Sequence, residues 1–366
     1  MSPIHGAHGM SAAVEGDSTV APNDPILITG ATGFIGSRVA RRLLDRGFRH
    51  VRCFVRPSSD VAGFEAIAGR SRDGANIEVI EGNLLSRDDC MAATRNVSVI
   101  FHLAAARGEK SFSDAFMNSV VTTRNLLEAS VQHGCLRRFV SISSFAVYTN
   151  TRKSRWRLLD ESSPVEKHPE LRGHAYTFAK VKQDEVVKEY SDRFRIPYVI
   201  IRPGYVYGSG NEAITNRVGI GTFGIFLHLG GPNTIPFTFV DNCAEAIVLA
   251  GLKKGVDGQV FNVVDDDLPS SREFLRLYKR NVRRFRSIYL PHALSYLLCG
   301  LWEKYSSWSE EQLPPVYNRR AWHAFWKRTR YSNEKAKTLL GWTPQVPTGE
   351  GLNIYFRSCR EKARHA

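Results

Sequence analysis

Of the 366 residues, 43% are hydrophobic and 23% charged, a globular composition that excludes a disordered, collagenous or low-complexity chain. Fifty Lys and Arg against thirty-six Asp and Glu give a formal charge of +14. Such a balance attracts anionic lipid, phosphorylated ligands or nucleic acid, but no nucleic-acid-binding motif accompanies it, so that partner is not expected.

In chain order, residues 1–24 are rich in Gly, Ala, Ser, Pro and His and lack the basic start and apolar run of a secretory signal, so they read as a disordered leader. From Pro25 a rhythm of strand, turn and helix begins. The apolar run 26–29 ends in glycine, as a buried parallel strand does, and a helix is expected over 34–46 with Ile35, Val39, Leu43 and Leu44 on one face. Strands follow at 51–55, 77–80 and 99–103, then a long helix over 112–133 and a fifth strand at 138–144. A helix over 175–194 and a sixth strand at 198–201 complete the series. Strands alternating with helices at this spacing predict an α/β, doubly wound parallel sheet, with its ligand outside the carboxyl ends of the strands where strand order reverses.

After Gly204 the pattern loosens into glycine-rich loops, a helix at 242–252, a strand at 260–264 and a basic, aromatic tail. The expected division is a nucleotide-binding domain over 25–205 with 236–264 interleaved, and a smaller substrate-binding subdomain from 206–235 and 265–366. No run of eighteen apolar residues occurs; the nearest, 288–302, is interrupted by Pro291 and His292. Basic residues followed by apolar and aromatic ones over 276–302 make peripheral membrane contact an expectation for this region. The six cysteines stand singly, without Cys-x-x-Cys or a ligand-spaced cluster, so no metal site is expected and a reducing, cytoplasmic compartment is the simplest one.

Three features carry chemistry. Gly30-Ala-Thr-Gly33-Phe-Ile-Gly36 sits between a predicted strand and a predicted helix, where glycine permits a sharp turn and close approach to a pyrophosphate at the helix N-terminus. Tyr176 and Lys180 lie four residues apart, so on a helix they share a face and the ammonium favours a phenolate that otherwise forms at about pH 10. Arg56 follows the second strand, where an acid would favour a ribose 2′-OH and an arginine favours a 2′-phosphate; this leans towards NADP over NAD.

With Gly82-Asn-Leu84, His102-Leu-Ala-Ala105, Asn118 ahead of Asn125-Leu-Leu, Ser141-Ile-Ser-Ser-Phe-Ala-Val-Tyr148, Arg202-Pro-Gly-Tyr-Val-Tyr-Gly208 and Phe239-Val-Asp-Asn242, the chain resembles the extended short-chain dehydrogenase/reductase family, also called the NAD-dependent epimerase/dehydratase group. The resemblance spans about Pro25 to Leu352 and implies a Rossmann-type domain, an NADP or NAD cofactor and a homodimer. It implies that Tyr176 is the general acid/base, that Lys180 lowers its pKa and bonds the nicotinamide ribose, and that Ser144, with Ser143 as fallback, bonds the reacting carbonyl or hydroxyl. The cofactor path would run over Gly30, Thr32, Gly33, Phe34, Ile35, Gly36, Arg56, Asn83, Leu84, Leu103, Ala104, Ala105, Asn118 and Pro203, with Arg202 beside the nicotinamide. His102 reads as a satisfied core histidine, His174 as a neighbour of Tyr176, and Asp160-Glu161 as structural or at the site rim.

Two departures matter. Asn83 stands where the family has an aspartate, and Gly204-Tyr205 where nucleotide-sugar members have Phe-Asn. The stretch Ile235-Pro-Phe-Thr-Phe-Val-Asp-Asn242 instead resembles 3β-hydroxysteroid-dehydrogenase-like members. The expected function is an NAD(P)-dependent oxidoreductase acting at a secondary alcohol or ketone of a bulky small molecule. A nucleotide-sugar epimerase/dehydratase that retains its nicotinamide, and a non-catalytic nucleotide-sensing regulator, are the alternatives.

Overall fold

The computed structural model describes residues 17–61, 64, 76–105, 111–151, 157–222, 224–309 and 317–365. Its main sheet has seven strands: β1 (Ile26–Thr29), β2 (His50–Val55), β3 (Asn76–Glu81), β4 (Val99–His102), β5 (Arg138–Ile142), β7 (Tyr198–Pro203) and β12 (Gln259–Val263). The order is β3-β2-β1-β4-β5-β7-β12 and every pairing is parallel. The chain moves outward from β1 in one direction through β2 and β3, then restarts at β4 on the other side. The crevice between β1 and β4 is therefore the point where strand order reverses.

Period-two alternation sends the apolar residues of the central strands to two opposite faces. Ile26, Ile28, Val51, Cys53, Val99, Phe101, Val140 and Ile142 join one buried cluster, which also holds residues of α1 (Gly36–Asp45) and α5 (Val240–Leu252). Leu27, Phe54, Ile100, Phe139 and Ile200 join the opposite cluster, which α2 (Arg87–Thr94), α3 (residues 112–133) and α4 (Ala175–Phe194) help to close. Both faces of the central strands are covered, whereas β2 and β3, towards one edge, carry Arg52 and Glu78, paired at 2.7 Å.

Two expectations are adjusted. Helix α1 starts at Gly36, not Phe34, because the Gly33 amide first closes a turn on the Gly30 carbonyl at 3.0 Å. Helix α3 is not uniform: Phe112–Phe116 and Thr122–His133 are α-helical, but Met117–Val121 between them is a π-helical turn. Of the expected leader, residues 1–16 lie outside the described residues. Residues 17–24 run along the domain, with the Thr19 amide donating to the Leu252 carbonyl at 2.6 Å and Val20 buried.

Outside the main sheet the chain builds smaller units: β8 (Tyr205–Tyr207) beside β11 (Phe237–Phe239), β6 (Arg157–Leu159) beside β14 (Thr329–Tyr331), and a three-stranded sheet of β9 (Gly219–Thr222), β10 (Ile225–His228) and β13 (Ser287–Tyr289). A second core, dominated by Tyr207, Phe237, Phe239, Phe274, Tyr355 and Phe356, joins these strands to α6 (Ser271–Asn281) and α9 (Thr348–His365). Helices α7 (His292–Trp308) and α8 (Arg319–Phe325) pack on each other at the edge.

Candidate active site

The turn after β1 is shaped by two close approaches that no side chain tolerates. Gly30 has φ +71°, and a Cβ there would stand 2.9 Å from the Ala104 amide nitrogen at the end of β4. A Cβ on Gly36 would stand 2.0 Å from the Gly30 carbonyl oxygen. The result is a tight cradle at the β1/β4 crevice, in front of a helix whose N-terminus no side chain caps and whose first turn holds no acid. That combination fits a pyrophosphate physically: backbone N–H groups and a positive dipole end, with glycine admitting close contact.

The other residues of the expected cofactor path are placed as follows. Thr32 and Ile35 are half-buried in the turn, and Leu103, Ala104 and Ala105 line the end of β4 with partial exposure. Phe34 turns its ring towards the second half of the chain, under the Arg38 guanidinium at 4.9 Å and beside Gly210. Arg56 is exposed just past β2. Asn83 is exposed too; its Oδ1 accepts from the Leu85 amide at 3.0 Å while its own amide donates to Asp89 at 2.7 Å. Leu84 is buried, Pro203 is buried at the end of β7, and Asn118 sits exposed in the π-helical turn, donating to the Asp114 carbonyl at 2.9 Å.

Helix α4 carries Tyr176 in its first turn, 41% exposed, and Lys180 one turn later, only 4% exposed. The Lys180 ammonium donates to the Ile142 carbonyl at the end of β5 and to Gln183 Oε1, the latter at 2.9 Å. Burial lowers its pKa to about 8, with the Asp184 carboxylate opposing. Gln183 then extends a buried chain: its amide donates to Thr123 Oγ1 at 2.9 Å, and Thr123 donates to the Ser119 carbonyl at 2.6 Å. His102 Nε2 meets Thr123 Oγ1 at 2.8 Å, and its Nδ1 meets Thr29 Oγ1 at 2.8 Å. Since the Thr123 hydroxyl proton is already committed, the network assigns Nε2–H and an unprotonated Nδ1 that accepts from Thr29. Burial holds His102 neutral, with its pKa lowered to about 3, the Lys180 charge adding to the effect. His102 is therefore the satisfied core histidine. Thr29 in turn accepts from the Ala104 amide at 3.2 Å, so one continuous polar chain joins Lys180 to the glycine turn.

The two serines separate cleanly. Ser143 is buried and donates to Asp184 at 3.0 Å, within a network where Arg202 also bonds that carboxylate at 2.8 Å. Ser144 is half-buried; its Oγ accepts from the Ala146 amide at 3.1 Å, which leaves the hydroxyl hydrogen able to donate. Arg202, expected beside the nicotinamide, is spent on Asp184 and on the face of Tyr148 at 4.8 Å. Glu161 accepts from the Asn262 amide at 2.7 Å, a structural bond. Phe325 meets the His174 ring edge-on at 5.4 Å, and Arg217 lies over Phe325. Burial lowers the His174 pKa to about 4, so it is neutral at physiological pH.

Sequence reasoning missed Gln183, Thr123 and Asp184. The i+3 spacing from Lys180 was a usable signal for Gln183; nothing in the sequence brings Thr123 to it. The Gly204 departure also has a cause, since a Cβ there would stand 2.1 Å from the Pro236 carbonyl, which accepts the Tyr205 amide at 2.7 Å.

Residues 26–263 match the model of the NAD dependent epimerase/dehydratase family. The chain belongs to that family, and so to the extended short-chain dehydrogenases/reductases, a family of enzymes. It is 30% identical over 261 residues to an Arabidopsis thaliana trifunctional UDP-glucose 4,6-dehydratase/UDP-4-keto-6-deoxy-D-glucose 3,5-epimerase/UDP-4-keto-L-rhamnose-reductase, covering 68% of this chain but 38% of that protein. It is 29% identical over 201 residues to a 3 beta-hydroxysteroid dehydrogenase/Delta 5-->4-isomerase of Mycobacterium tuberculosis, covering 53% of this chain and 50% of that one. The fold is also that of UDP-glucuronic acid 4-epimerase from Bacillus cereus, solved in complex with NAD, with TM-score 0.68, 22% identity and coverage of 92% of this chain and 99% of that one.

Proposed function

We propose that the chain is an NAD(P)-dependent oxidoreductase acting at a carbon–oxygen centre of a bulky substrate. The observation that carries this reading is an accessible Tyr176 one helical turn from a buried ammonium held by two neutral oxygens, Ile142 O and Gln183 Oε1. Tyr176 delivers a proton to the substrate oxygen in reduction and removes it in oxidation. Lys180 stabilises the phenolate, and Ser144 donates its hydroxyl hydrogen to the same oxygen, polarising the carbon. The glycine turn and the residues after β4 would hold the pyrophosphate; when bound, the nicotinamide supplies or accepts the hydride. The aromatic surroundings of His174 and the Tyr205 that replaces asparagine favour a lipophilic substrate over a nucleotide sugar.

The epimerase/dehydratase reading rests on a different observation, the nucleotide-sugar names among the relatives, and uses the same tyrosine. Arg56 favours NADP, whereas similar folds have been solved with NAD, so both nucleotides belong in the test. Purified protein is given NADP or NAD with a panel of hydroxysteroid-like alcohols and ketones and of UDP- and GDP-sugars. Steady change in reduced-nicotinamide absorbance supports net redox; product formed from a nucleotide sugar without it transfers the assignment to the epimerase. The homodimer implied by the family is part of the same reading and is measured by sedimentation equilibrium.

A further inference from the structure

Helix α7 is built the wrong way round for a helix at a protein surface. Its buried positions are Ser295, Cys299 and Ser306. Its water-facing side carries Leu294, Leu297, Leu298, Leu301, Tyr305 and Trp308, of which Leu297 is 58% and Trp308 79% exposed. At 100° per residue those six fall within an arc of about 100°, a continuous apolar stripe on a helix roughly 25 Å long. Ile288 and Tyr289, exposed in β13, precede the helix in the chain. An apolar stripe of this extent costs solubility unless something covers it.

Charge identifies the cover. Over residues 276–309 there are seven Lys and Arg and a single acid, Glu303. Glu303 is itself bonded to Arg319 at 2.7 Å. Arg283, Arg284 and Arg286 are exposed just ahead of β13, and Lys304 is exposed on α7 beside the stripe. A second copy would bring the same excess of cations to this face and not a complementary charge. An anionic bilayer accepts both halves of the pattern, leucines in the acyl boundary and arginines at the phosphates, with Tyr305 and Trp308 suited to the interfacial layer. Among the described residues no helix is long and apolar enough to cross a membrane. We propose that the Leu294–Trp308 face of α7 is a monotopic docking surface for membranes containing anionic phospholipid.

The opposite, buried side of α7 packs towards the candidate site. Trp322 of α8 donates to Ser295 of α7 at 2.9 Å, and Phe325 of the same helix meets His174. Docking itself does not depend on the reaction proposed above.

The test is flotation of the full chain with vesicles of phosphatidylcholine alone or with added phosphatidylglycerol. Binding is expected only to the anionic vesicles, falling steeply with salt. Leu297→Asp with Leu301→Asp should weaken it on the order of tenfold or more. Arg284→Glu with Arg286→Glu should abolish the preference for anionic lipid. These side chains face solvent, so thermal unfolding of each variant should match the parent and exclude misfolding as the cause. Equal flotation with neutral vesicles, or none with either, overturns the proposal. So does a lipid-free dimer that the leucine variant dissociates, which would assign the face to a second copy. Either result leaves the redox assay, run without lipid, to stand or fall separately.

Discussion

Helices α4 and α7 both break the rule that polar residues face water and apolar ones the core, but in opposite senses. Helix α4 buries Thr177, Lys180, Gln183 and Asp184, and the last three, with their charge or amide, are all bonded inside the chain. Helix α7 buries serine and cysteine and exposes leucine. Buried polarity is expensive unless paired, and this cluster is paired except at Asp184 Oδ1, which is what singles out these strand ends as the candidate site. Exposed apolar surface is paired only by something outside the chain. The first inversion points inward to catalysis and the second outward to a partner.

The sharpest way to break this contrast is Tyr176→Phe. Turnover is expected to fall about 10²–10⁴-fold with substrate affinity little changed, measured by steady-state kinetics; unchanged turnover would reduce the α4 cluster to a structural one. Next comes Gly36→Ala, which drives a methyl to the Gly30 carbonyl and deforms the cradle. A penalty of roughly 1–3 kcal/mol for such overpacking, if it falls on the bound state, corresponds to a dinucleotide about five- to 150-fold weaker, read by titration calorimetry. Unaltered affinity would show that the pyrophosphate lies elsewhere.

A smaller effect tests the buried chain itself. The folded pKa of Lys180 is lowered to about 8, below its ordinary 10.5, so the ammonium is present at neutral pH and lost as pH rises through about 8. Activity that depends on this charge falls over the same window, while the group's penalty on stability eases between about 8 and 10.5. Gln183→Leu removes one acceptor from the cation and should move the alkaline limb of the rate profile down by about one pH unit. A limb that stays put would mean that Gln183 only packs. The smallest effect is expected at α7: Leu297→Ser should leave turnover of a water-soluble substrate and thermal stability within error, since surface changes of this kind are usually within about 0.5 kcal/mol. A loss of activity there without lipid would make the stripe part of the catalytic fold.

Much of the catalytic side was legible in the sequence because its signals are local. Gly30 to Gly36, bounded by an apolar run and a helical period, dictates a strand–turn–helix unit. Tyr176 and Lys180 share a helix, so spacing alone sets their relation. The expected helix over 175–194 coincides with α4 for the same reason. Less legible was how each residue is used. Ser143 and Ser144 are adjacent and chemically identical, and only the arrival of Asp184 from α4 commits one and leaves the other. Arg202 shares the same carboxylate, a pairing that its place in the sequence does not announce. Thr123 and Gln183, sixty residues apart, meet only because α3 and α4 pack on one face of the sheet.

The sequence by itself determined the family, the parallel sheet and the place of the glycine turn, since these follow from apolar period and backbone freedom over a few neighbouring residues. Tertiary structure alone decided which serine keeps a proton to donate, that burial lowers the Lys180 pKa to about 8 and that the leucines of α7 face water. Each of these depends on what packs against a side chain, and burial is a property of the whole fold that no local spacing encodes.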